Sequence, residues 1–480
     1  MSTFHDNEVL RAGKLGAFRV NALITRIGWE GDLHPESGSI LPGAVALHVH
    51  EYIHYLHNLS TVAGLDALTS CLLLVQPFLI QSAKTDSETD SESFSEKLVR
   101  DSPEDNQSNT IDEHVAMAFR KIRSMRGFAR NIPKDYVWKK TVEWQFAEMD
   151  HQDTSEFKDG YTQLDDEIRF RVKAIFADKS CLDFELQPGL DFITEGIAYE
   201  AERYILNAKF NGSVDVDGTV PSYPYLAFSP LVKSLVGRET SPTERIVIGT
   251  LSLLSPSPSE ALVNICKVFR FEVEVAGVNI VEQLMRDIIA QFKRYADYVI
   301  NSIVPMLRHV FENSKILSDG FEVYETLILT ALNTRLKSPV MELAFLKQPM
   351  DERLFSNIAL TYLERWISQE KSNGETEIMW LGRRGSVASW PPEKHEAFAV
   401  LQSSIHYVQH HFTQDGRMVS TEKLAVTLCP FSGACSVERD AGYPEECKTK
   451  PWRAQEAGVM RDLCAYELGV IAIKDAIRST

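Results

Sequence analysis

Residues 42–59 read Pro-Gly-Ala-Val-Ala-Leu-His-Val-His-Glu-Tyr-Ile-His-Tyr-Leu-His-Asn-Leu. Proline is well tolerated in a first helical turn, so the stretch predicts a helix beginning near Pro42. Between Leu47 and Leu56 the only formal charge is Glu51. At 3.6 residues per turn, His50 and His54 share one face, with His57 and Asn58 beside them inside an arc of about 100°. Val49, Tyr52, Ile53 and Leu56 cluster on the other side as an apolar face for the core. His48 points away from both histidines and reads as structural. Two imidazoles one turn apart can reach one Zn²⁺, and Glu51, turned about 100° from His50, can take a proton from an activated water.

Outward from this helix the chain alternates in character. Residues 15–30 read as a strand or hairpin, and 62–80 as a second apolar helix. The run 65–80 contains Asp66, Thr69, Ser70, Gln76 and Pro77, so it reads as a buried helix rather than a membrane span. Residues 83–113 carry ten acidic and three basic side chains and predict an acidic mobile insertion. The segment 114–131 is helical in pattern, 136–188 is strand-like, and 190–208 is helical again. Beyond Pro221 the pattern is mostly helical, most clearly at 242–254, 280–313, 321–336 and 352–368. The segment 419–455 is irregular. The expected class is α+β, predominantly helical, with a small antiparallel sheet and a mostly helical C-terminal half. The expected division is a core over 1–215, a helical domain over 216–418 and a cysteine-containing segment over 419–480.

The 480 residues carry a net charge of −17, with 44% hydrophobic and 24% charged residues. That balance opposes a dedicated nucleic-acid or anionic-membrane partner, because both need basic patches. Residues 1–20 show no apolar core of signal-peptide length, and the seven cysteines are odd in number and scattered. Both features predict a reducing cytoplasm.

The His50-Glu51-Tyr52-Ile53-His54 sequence resembles the His-Glu-x-x-His signature of zincin metallopeptidases. Position 57 is His and position 60 is Ser, where the metzincin extension has glycine and histidine. The resemblance is therefore gluzincin-like and implies a third zinc ligand from a glutamate on a later helix. Glu195, in Asp191-Phe-Ile-Thr-Glu-Gly-Ile-Ala-Tyr-Glu-Ala-Glu202, is the best candidate, and Glu200 a weaker one. Thr194 is suited to cap that helix, and Gly196 permits close approach of another. Tyr199 and Glu202 share the Glu195 face. The sequence departs from the family in the long gap between His54 and Glu195, and in carrying Tyr199 where some relatives have an acidic residue.

The resemblance implies a zincin-like catalytic core, Zn²⁺ held by His50, His54 and Glu195, Glu51 as general base, and a protein or peptide substrate. The oxyanion stabiliser stays open among Tyr199, Tyr204, Tyr223 and Tyr225, with His57 and Asn58 as neighbours of the metal ligands. The oligomeric state is not legible. The alternative is a non-enzymatic helical interaction or scaffold protein with a vestigial or structural metal site. A second metal site, for structural zinc or an iron–sulfur cluster, is a further expectation at Cys429, Cys435, Cys447 and Cys464, whose spacing lacks a Cys-x-x-Cys pair.

Overall fold

A computed structural model describes residues 16–89, 104–134, 136–149, 168–274, 280–371, 376–381, 390–432, 435, 447, 449–453 and 464–479. Among these, the architecture is mostly helical with two small sheets, as the α+β class requires.

The central element is α1, Ala44–Ser60, which is buried along nearly its whole length. Its apolar face packs as the pattern requires: Val49, Tyr52, Ile53 and Leu56 are all at most 1% exposed. Thr61 ends α1 and caps α2, Val62–Leu73, by accepting from the Gly64 N–H at 3.0 Å. A Cβ on Gly64 would stand 2.2 Å from the His57 carbonyl oxygen, so this corner needs glycine.

The expected single helix over 62–80 is two, α2 and α3, Val75–Thr89, separated at Leu74. The run Val62–Ala83 is long and apolar enough to cross a membrane, but its most apolar stretch is 67% buried within the protein, as in a core helix. The acidic insertion at 83–113 is also corrected. Its first residues continue α3 to Thr89, and its last begin α4, Glu104–Arg126. Residues 90–103 lie outside the described residues. Composition misleads here because α4 is anchored from its C-terminal half, where Val115, Phe119, Ile122 and Met125 are buried at helical spacing.

One sheet is antiparallel throughout, in the order β3-β6-β5-β4, from Phe128–Arg130, Thr141–Glu148 (β4), Phe170–Phe176 (β5) and Cys181–Gln187 (β6). The other contains the hairpin expected over 15–30, as β1 and β2, and extends it with two strands that were not expected. Its order is β1-β2-β7-β8, with β1 at Gly16–Arg19, β2 at Ile24–Ile27, β7 at Arg365–Glu370 and β8 at Thr376–Leu381. The β2–β7 pair is parallel, so this sheet is mixed. The helix expected over 352–368 therefore stops at Tyr362 (α12, Glu352–Tyr362), and β7 follows. The six residues Arg-Trp-Ile-Ser-Gln-Glu carry no decisive period, and pairing with a strand more than 300 residues away determines the strand.

The remaining helices are α5 (Leu190–Phe210), α6 (Phe228–Val236), α7 (Pro242–Leu253), α8 (Pro258–Glu274), α9 (Ile280–Tyr298), α10 (Val304–Phe311), α11 (Lys315–Lys337), α13 (Pro392–His410) and α14 (Ala465–Ser479). The expected helix at 280–313 contains a π turn, Val299–Ile303, just before Pro305, whose missing N–H interrupts the regular ladder.

The packing that positions the site is α1 against α5. Gly196 of α5 lies against α6, where a Cβ would meet the Phe228 ring at 2.2 Å. On its other face α1 is tied to the α12–β7 junction. The Tyr52 hydroxyl lies 2.9 Å from the Ala359 and Leu363 carbonyl oxygens, and the Tyr55 hydroxyl donates to Glu364 O at 2.6 Å.

Candidate metal centre

Among the described residues, one group of three or more His, Cys, Asp or Glu donors gathers to within 4.8 Å: His50, His54 and Glu195. Helical spacing stacks the two imidazoles, whose ring centres are 5.1 Å apart. The α5 helix brings Glu195 across. His50 Nε2 and His54 Nε2 are 3.3 Å apart, and Glu195 Oε2 is 3.3 Å from the first and 3.4 Å from the second. A tetrahedral zinc with ligand bonds of about 2.0–2.1 Å has ligand–ligand edges of about 3.3–3.4 Å. The donor triangle thus has the size one zinc ion requires. His50 and Glu195 are buried, and His54 is partly open.

The far nitrogen of His50 is also held. Its Nδ1 lies 2.8 Å from Glu202 Oε2, two turns along α5 from Glu195. Burial lowers the His50 pKa, but its hydrogen bonds to Glu195 and then Glu202 outweigh it and push the imidazole up to about 10. The ring is clasped between two carboxylates. For a metal held at Nε2, the Glu202 contact would keep the proton on Nδ1.

Glu51 is 2% exposed and lies under β1, where a Cβ on Gly16 would stand 3.0 Å from its Oε1. The glycine leaves the carboxylate its space beside the histidine face. His57 is not at the donor triangle. It is fully buried, with Nδ1 2.9 Å from the Thr194 hydroxyl and Nε2 2.9 Å from Glu342 Oε1. Burial, followed by Arg335 and His54, lowers its pKa against the pull of Glu342. His57 thus bridges the two helices, with Nε2 at the Glu342 carboxylate and Nδ1 at the Thr194 hydroxyl. Asn58 donates to the His54 carbonyl at 2.9 Å, and His48 is buried against the Gly31 carbonyl at 3.0 Å.

Thr194 does not cap α5. The cap is Gly189, and Thr194 sits inside the helix next to Glu195, with its hydroxyl on His57. The Tyr199 hydroxyl donates to Asp217 Oδ1 at 2.7 Å. Tyr223 is stacked on Trp138 and Phe192. Tyr225 lies against the centre, its ring centre 5.7 Å from that of His50. Glu200 is engaged elsewhere, with Arg203 and Arg245 at 2.7 Å. Sequence reasoning missed the role of Glu202, although its position seven residues after Glu195 already placed it on the ligand face. It also missed Glu342 and Arg335, for which no local signal exists. No family model, curated protein or solved structure matches the chain.

Proposed function

We propose that the chain is a zinc-dependent endopeptidase of the His-Glu-x-x-His type, with a zincin-like core, acting on a protein or peptide in a reducing cytoplasm. The observation that supports this most is the donor triangle of His50, His54 and Glu195, with edges of 3.3–3.4 Å and Glu51 on the next position of the same helix. When bound there, zinc would acidify water and polarise a peptide carbonyl. Glu51 accepts the proton of the attacking water at its carboxylate and returns it to the leaving amine. Glu202 orients His50. The buried setting of Glu51 and His50 excludes bulk water and strengthens each electrostatic contact.

The test is metal content combined with Glu51→Gln. Purified wild type should carry one zinc per chain, which His50→Ala should lose. Glu51→Gln should keep the metal and lose about 10²–10⁴-fold in turnover on a protein substrate. Zinc-free wild type, or a Glu51→Gln variant with full proteolysis, refutes the reading. The first outcome leaves a helical interaction protein with a vestigial site.

A further inference from the structure

Away from this centre, four cysteines that are 35 residues apart from first to last converge near the start of α14: Cys429, Cys435, Cys447 and Cys464. The backbone brings them there by specific bonds. The Thr427 N–H donates to the Thr449 carbonyl at 2.9 Å, which sets the segment of Cys429 beside that of Cys447. The chain turns back after Cys429, whose carbonyl accepts from the Ser432 N–H at 3.0 Å. The Arg19 guanidinium reaches across from β1 to hold this turn, donating to the Pro430 carbonyl at 3.1 Å and to the Ser432 carbonyl. Cys464 immediately precedes α14 and accepts at its carbonyl from the Leu468 N–H at 3.1 Å. Cys429, Cys447 and Cys464 are buried and Cys435 is half-buried.

The sulfurs are close enough to act on one another. Cys447, Cys464 and Cys435 are all electrostatic neighbours of the Cys429 sulfur. Cys435 is likewise a neighbour of Cys464. Backbone N–H groups are aimed at the sulfurs: that of Phe431 at Cys429, and those of Glu467 and Tyr466 at Cys464. Amide donors on a sulfur stabilise its thiolate form and are the contacts that tune a metal-bound thiolate. Among the described residues, which include all seven cysteines, none is disulfide-bonded.

We propose that Cys429, Cys435, Cys447 and Cys464 hold an iron–sulfur cluster. A cluster suits these sulfurs better than a single structural zinc. A single zinc with Zn–S bonds of about 2.3 Å would draw four sulfurs to about 3.8 Å of one another. No three of these four lie together within 4.8 Å, although the His50 site does meet that limit. A cluster spreads its thiolates over several irons bridged by inorganic sulfide, so they stand farther apart. Burial beside Tyr466, itself 1% exposed and joined through its hydroxyl to His406 at 2.9 Å, keeps water from the site.

The experiment is purification of the full chain without oxygen, with reconstitution by ferrous iron and sulfide, followed by iron, sulfide and zinc analysis. The expected result is iron and acid-labile sulfide in equal amounts, about two or four of each per chain, with a visible charge-transfer absorption. Cys429→Ser and Cys464→Ser should lose both, and His50→Ala should keep both while losing zinc. Because the buried variants can fail to fold, Cys435→Ser at the half-buried position provides a second reading. It should keep the wild-type circular dichroism and change the iron content or the paramagnetic resonance of the reduced cluster. A folded, reconstituted wild type without iron and sulfide overturns the proposal. So does a second zinc equivalent that Cys435→Ser removes.

Discussion

At the residue scale, the centre depends on one carboxylate beyond its three donors. Glu202 lies 2.8 Å from His50 Nδ1, on the same face of α5 as Glu195. A carboxylate there fixes the tautomer and raises the basicity of the ligating nitrogen. Glu202→Gln should keep the fold and weaken zinc binding about 10–100-fold, read by competition with a chromogenic chelator. Unchanged affinity would show that His50 is oriented by its own helix alone. At this scale the sequence is most legible. Helical spacing alone stacks His50 on His54 and puts Glu195 and Glu202 on one face, because intrahelical geometry depends on nothing outside the helix. It does not distinguish a ligand from the residue that orients it, since that depends on how α5 lies against α1.

At the element scale, the two ligand helices are joined by a buried polar network. His57 of α1 contacts Thr194 of α5 and Glu342, and Glu342 is paired with Arg335 of α11 at 2.7 Å, both side chains being fully buried. Arg335 also donates to Ser60 at the end of α1 at 2.8 Å. Burial pushes the Glu342 carboxyl up, but Arg335 and then His57 outweigh it and hold it well below the usual carboxylate range. Glu342→Gln leaves Arg335 as an uncompensated buried charge and should cost about 3–5 kcal/mol at pH 7. The folded pKa is depressed, so the ionised carboxylate stabilises above the unfolded value near 4.5 and loses that effect as pH falls below it. The gap between wild type and variant should shrink by about 2 kcal/mol between pH 7 and pH 3, measured from urea midpoints. A constant gap would mean that Glu342 is not the titrating group. None of this network is legible in sequence. Its members span residues 57 to 342, and a buried ion pair carries no periodic signature. The same separation hides β7, whose partner β2 lies near the other end of the chain.

At the scale of the whole molecule, the question is whether residues 1–215 can fold without the rest. The metal donors and the antiparallel sheet all lie within them. The surroundings of α1 do not. β2 pairs with β7, Tyr52 and Tyr55 place their hydroxyls on backbone groups at 359–364, and His57 meets Glu342. Without residues 342–370, β2 would expose the edge along which it pairs, and three buried polar side chains would lose partners. An unsatisfied buried polar group costs about 1–3 kcal/mol, and total stabilities are only about 5–15 kcal/mol. The α1 face of Val49, Tyr52, Ile53 and Leu56 would also lose apolar cover from α12. A fragment of residues 1–215 should therefore show no cooperative thermal transition by calorimetry and should bind zinc far more weakly than the full chain. A fragment that melts cooperatively and takes up one zinc with full affinity would show that α1 and α5 suffice. The expectation is otherwise because the helix that supplies the histidines is clamped on its other face by residues that follow it by about 300 positions.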